Sequence, residues 1–134
     1  MKLIEYYLNI FHYVIYVYCI KYKRFLPDYS PSLNSGIIMM WLSLILVMQL
    51  LIIHSLIYKI FHISYSSDYD FYSTIFFELL VWFSVIHKEK YCLYFKEFKQ
   101  LPPEIIKKWQ KNTHLALLIT LMFLVVSMLL LNVL

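Results

Sequence analysis

The sequence predicts an all-α membrane protein with three transmembrane helices and an N-terminal amphipathic helix at the membrane interface. Three observations carry that reading. First, Ile37 to Tyr58, IIMMWLSLILVMQLLIIHSLIY, runs for 22 residues with only Ser43, Gln49, His54 and Ser55 as polar interruptions before the closing tyrosine. As a helix it extends roughly 33 Å, close to the hydrocarbon thickness of a bilayer. Second, the 134 residues are 62% apolar and 15% charged, with a mean hydropathy of +0.68. A soluble domain carries about half apolar and about a quarter charged residues, and one this small leaves too much surface in water to hide the excess. Third, the 12 Lys and Arg residues stand beside apolar stretches, as membrane-flanking cations do. Their placement sets aside nucleic acid as the reason for the net charge of +4.

From Lys2 to Arg24 the pattern is that of an amphipathic helix. Leu8, Phe11, Ile15 and Tyr18 recur on one face, and Glu5, Asn9, His12, Tyr16 and Lys23 on another. Tyr6, Tyr7, Tyr13, Tyr16, Tyr18 and Tyr22 suit a headgroup region, where an aromatic ring and its polar tip are both satisfied. The alternative is a fourth span over Leu3 to Ile20, which would bury Asn9 and His12 at a cost. Glu5 and Asn9 interrupt the apolar run, and Ala116 is the only alanine, so no A-x-A cleavage site follows and the helix is expected to remain in the mature protein.

Phe25 to Ser35, with Pro27, Pro31 and Asn34, is expected to be a loop, closed by the only glycine, Gly36. The span 37–58 follows. Ser64 to Asp70, SYSSDYD, makes a short acidic connection, so the next span, Phe71 to Ile86, is expected to lie antiparallel. At 16 residues that span is short for a bilayer. His87 to Gln100 is amphipathic again, with Tyr91, Tyr94, Phe95 and Phe98 on one face. It reads equally as a surface helix on anionic lipid or as a charged face whose aromatics pack on the bundle. Pro102 and Pro103 break the chain, and Glu104 opens a helix of 31 residues to Leu134, apolar from Leu115 onward.

Topology follows from the cations. Lys2, Lys21, Lys23 and Arg24 precede the first span; Lys88, Lys90, Lys96, Lys99, Lys107, Lys108 and Lys111 lie between the second and third; the 64–70 connection has none. The positive-inside bias places the first two groups in the cytoplasm, against an anionic leaflet, and the connection and C-terminus outside. Cys19 and Cys92 then lie on or near the reducing side, and no metal-ligand spacing surrounds them or the five histidines. Trp41 and Trp109 fall near the expected boundaries, with Trp82 deeper.

The candidate site is the set of polar groups inside the spans. Glu78, near the middle of the second span, is the sharpest of them, since a buried acid is costly in lipid. A hairpin of the first two spans sets it at a depth between His54 and Gln49, with Lys59 able to reach down from the outer end. A proton or ion relay needs more polar lining than these groups supply, which favours a structural pair or a bond to a neighbouring helix. No phosphate-binding loop, nucleophile elbow or triad signature occurs, so the protein is read as non-enzymatic and without cofactor or metal. One glycine also leaves no GxxxG motif.

The opening Tyr-rich helix, the entry Ser35 to Trp41, the segment EKYCLYFKEFKQLPPEIIKK and the closing LALLITLMFLVVSMLL together resemble small uncharacterised integral membrane proteins of Bacteroidetes. The resemblance spans most of the chain and rests on pattern and composition. It implies a small multi-pass protein of the bacterial inner membrane and transfers no catalytic residue. An origin in an organellar inner membrane is the lesser alternative, on similar Phe, Tyr, Ile and Lys usage. The expected work is helix–helix association with other membrane subunits or with itself, as an accessory subunit of a complex or an immunity protein. The alternative is an oligomeric channel or membrane-permeabilising effector lined by Glu78.

Overall fold

A computed structural model describes residues 2–63, 66 and 68–134. Among them the chain is helical, without strands. Its elements are α1 (Lys2–Lys21), a single 3-10 turn (Lys23–Phe25), α2 (Pro31–Phe61), α3 (Asp68–Val81), a π-helical turn (Trp82–Ile86), a second 3-10 turn (His87–Glu89), α4 (Lys90–Phe98) and α5 (Pro103–Val133). By length and apolar composition four helical stretches could cross a membrane: α1, α2, the run Asp68–Phe98, and α5.

Helix α2 begins well before the predicted span, so Asn34, Ser35 and Gly36 are helical and the expected loop is shorter. The start is capped locally. Ser30 is extended (φ −62°, ψ 146°), its Oγ accepts from Leu33 N–H at 3.2 Å, and Pro31 sits in the first turn, where a missing N–H costs nothing. The far end closes on His62, left-handed at φ 55°, whose N–H donates to Tyr58 O. Helix α3 likewise starts early, with Asp68 and Asp70 in its first turn, where carboxylates suit the helix dipole. Of the expected 64–70 connection, Ser64, Tyr65 and Ser67 lie outside the described residues.

The expected break near residue 87 is a sharp one. The helix widens over Trp82–Ile86, and Lys88 and Glu89 then take φ values of 55° and 51°, a left-handed pair that turns the chain into α4. Helix α5 follows Pro102, with Pro103 in its first turn.

Helix α2 is the axis. Helix α3 runs back along it, with Asp70 against His54 and Glu78 against Ser43. Helix α5 runs parallel to it, with Thr120 beside Gln49 and Leu131 beside Lys59. Helix α1 lies against the first half of α2: His12 meets Ser35, and Ile4 and Leu8 line a recess with Leu42 and Leu46. One core joins Ile15 and Cys19 of α1 to Met39 of α2 and to Val81 and Val85. A second is aromatic: Tyr13 of α1 packs on Phe95 and Phe98 of α4, with Tyr6 and Trp109 closing around Phe98. Phe98 is fully buried, so the aromatic face of α4 is spent on the bundle.

The polar face of α1 points inward, opposite to the arrangement expected of a helix floating with that face toward headgroups. Asn9 and His12 have no exposed surface, while Leu3 and Tyr7 are exposed. Their burial is tolerable because partners from two other segments meet them. Within its most apolar window 33% of α1 is buried, against 6% of α5.

Candidate functional site

The four polar groups singled out from the sequence are all bonded within the chain, though in different pairs from those expected. Glu78 lies not between His54 and Gln49 but beside Ser43, whose hydroxyl donates to Glu78 Oε1 at 2.6 Å. Met40 O, at 2.7 Å, shares the same donor. The cause is the hairpin register: α3 opens opposite His54, seven residues before α2 ends at Phe61, so every α3 residue stands further down α2 than a symmetric hairpin would set it. His54 Nδ1 therefore meets Asp70 Oδ1, at 2.9 Å, and Glu78 is two helical turns away.

Gln49 and Lys59 hold α5. Gln49 Nε2 donates to Thr120 O at 2.6 Å, a carbonyl in mid-helix with a second lone pair free. Lys59 Nζ donates to Leu131 O at 2.9 Å. Leu131 lies near the end of α5, where a cation suits the negative end of the helix dipole. Lys59 thus caps a neighbouring helix.

The side of α5 turned to the bundle is a narrow seam, which meets α2 at Thr120 and Leu131 and shares a recess with Tyr7, Ile10 and Phe11 of α1 at Thr113. Thr113, Leu117, Thr120, Leu124, Ser127 and Leu131, alternately four and three residues apart, are buried or half-buried, and every other residue from Leu115 to Leu134 is exposed. Three small hydroxyl residues seven apart, alternating with leucine, let two helix backbones approach closely in lipid. That spacing was present in the sequence, concealed by the high hydropathy of the whole segment.

Two further polar groups were legible as residues but not as a site. Asn9 Nδ2 donates to Glu5 O at 2.8 Å and across the bundle to Ser84 O at 2.9 Å. Ser84 lies in the last turn before the chain breaks, so Asn9 takes up a carbonyl that the helix end would leave bare. His12 Nε2 lies 2.8 Å from Ser35 Oγ, and its ring stands 5.3 Å from that of Tyr91 and 5.0 Å from that of Phe95. Ser35 Oγ also lies 2.9 Å from Ser32 O, so its hydroxyl bridges the His12 ring and its own helix. Asn9 Oδ1 and His12 Nδ1 are buried without a hydrogen-bond partner in the protein.

The basic residues fall into two groups. Lys21, Lys23, Arg24, Lys88, Lys96, Lys99, Lys107, Lys108 and Lys111 are exposed. Lys90 differs: its Nζ donates to Glu5 Oε2 at 3.2 Å while Tyr94 donates to Oε1 at 3.1 Å, clamping α4 to α1. Among the described residues no three His, Cys, Asp or Glu side chains converge as a metal site would require.

The geometry defines a class: an all-helical chain with four helices fit for a membrane, whose intrahelical polar groups are used to hold helices together. Comparison with protein-family models, with curated proteins and with solved structures finds no match to this chain.

Proposed function

We propose that the chain is a non-enzymatic integral membrane protein that acts by helix–helix association, as an accessory subunit that packs its α5 on another membrane protein. The single observation that carries this reading is the asymmetry of α5. Its first turns pack on α4 and α1 through Trp109 and His114, one narrow seam continues along α2, and from Leu118 onward the remaining faces, Leu118, Leu121, Met122 and Val125 among them, are exposed. In lipid, packing and interhelical bonds rather than hydrophobicity decide association. A helix with so thin an attachment gains from a second one. The membrane is taken to be a bacterial inner membrane, with α2, α3 and α5 crossing it and α1 packed at the lysine-bearing end. Glu78 and Gln49, engaged inside the chain, leave the partner to the outer face of α5, and a pore lined by Glu78 finds no support in a carboxylate turned to Ser43.

A photo-crosslinking amino acid at Leu121 or Val125, on the outer face, tests the reading in native membranes. A discrete adduct with a second protein, absent when the probe replaces Leu124 in the seam, is the expected result. Adducts with lipid alone from both outer positions would refute it.

A further inference from the structure

A groove of about 590 Å³ lies between α1 and the first half of α5. Tyr7, Ile10 and Phe11 make its α1 wall, and Ile105, Trp109 and Ala116 most of its α5 wall, so the greater part of it is apolar. Among the described residues the only charged one on the wall is Lys108, with Asn112 one turn further on and the buried Thr113 beside it. Glu104, one turn before Lys108, is exposed and lies outside the wall.

The state of Lys108 singles this groove out. Lys90 is paired with Glu5, and Lys99 lies over the ring of Tyr16. Among the described residues Lys108 has neither an acid nor a ring, and no acceptor for its ammonium protons. A bare cation in an apolar groove fits a ligand that joins an anionic group to an apolar body. The groove also has a matching direction. Lys108 and Ala116 are eight residues apart, about 12 Å along the helix, and the apolar run of α5 opens at Leu115. It therefore passes from the lysine-bearing end into the span, the path of a lipid from headgroup to chain. Ala116, the only alanine, keeps its deep end open where a leucine like its neighbours would intrude.

We propose that this groove holds one acidic phospholipid, its phosphate on the Lys108 ammonium within reach of the Asn112 amide, and the start of an acyl chain along Phe11 and Ala116. Basic pockets between membrane helices on the cytoplasmic side recognise such headgroups. A zwitterionic lipid brings a second, positive group, for which the wall offers no carboxylate. The site is on the α1 side of α5, so it shares with the proposed function only the membrane setting and stands whether or not a partner covers Leu121 and Val125.

The test is native mass spectrometry of the purified full chain, released from detergent micelles that hold equal amounts of phosphatidylglycerol and phosphatidylcholine with the same acyl chains. A one-to-one lipid adduct is expected, with phosphatidylglycerol favoured by about 5-fold, the effect of one lysine at an anionic membrane surface. Lys108→Gln should erase the preference, and Lys107→Gln, which alters a lysine outside the groove, should keep it. Ala116→Phe, which fills the deep end, should reduce the adducts of both lipids. Equal adducts of the two lipids in the unaltered protein, a preference that survives Lys108→Gln, the same loss in Lys107→Gln, or undiminished adducts in Ala116→Phe would each overturn the proposal.

Discussion

Ser43 and Glu78, 35 residues apart in sequence, face each other across the α2–α3 hairpin with 2.6 Å between hydroxyl and carboxylate. A carboxyl group inside a helical bundle is costly unless a donor meets it, and the α2 residue in register is one of the few on that helix able to do so. Removing the serine leaves the acid and keeps its desolvation cost. Ser43→Ala and Glu78→Ala are expected to be coupled by between about 0.6 kcal/mol, the average for interhelical bonds in lipid, and about 1.7 kcal/mol, the largest seen, in a double-mutant cycle. Reversible unfolding in mixed micelles measures it; additive effects of the two changes would show that the contact contributes nothing.

Asn9 and Lys90 both hold α1 in place, with different consequences for their loss. Asn9→Leu strips the partner from Ser84 O in a fully buried setting, which costs about 1–3 kcal/mol. Lys90→Met breaks an ion pair with Glu5 that remains partly open to solvent, and exposed pairs are worth about 0–1 kcal/mol. The Asn9 change is therefore expected to lower stability more, and raising the salt concentration should widen the gap, because screening weakens the pair in the unaltered protein and so shrinks only the Lys90→Met loss. Equal losses would mean that the inward polar face is not what fixes α1.

Lys59 is expected to govern the end of α5 and nothing else. Replacing it with methionine frees Leu131 O and removes the cation from the helix terminus. Hydrogen exchange in residues 128–134 should quicken, while residues 104–113 stay unchanged. Uniform protection along α5 in both proteins would place the attachment elsewhere.

Hydropathy, proline placement and charge were enough to read the helical class, the long helices and the break after Ile86, because each is a local property of the chain. Pairing was not local. The acidic start of α3 was visible in Asp68 and Asp70, yet its register against α2 depends on where the chain returns, so His54 was matched with Glu78 instead of Asp70. Asn9 and His12 stood out as polar residues one turn apart; the direction they face was decided by Ser84 and Ser35, contributed by distant segments. Lys90 looked like its lysine neighbours until Glu5 was brought beside it. Two interhelical signals had a sequence period: the aromatic face of α4, and the Thr113, Thr120 and Ser127 seam.

Association through α5 in the membrane requires the chain to cross a bilayer with its lysine-bearing segments on one side and the α2–α3 connection on the other. Single cysteines at Lys111 and Ser66, in a Cys19→Ala, Cys92→Ser background, can be challenged with a membrane-impermeant maleimide in inverted and right-side-out vesicles. Position 111 is expected to react only in inverted vesicles and position 66 only in right-side-out ones. Reaction of both positions in the same vesicles, whichever orientation that is, would contradict it.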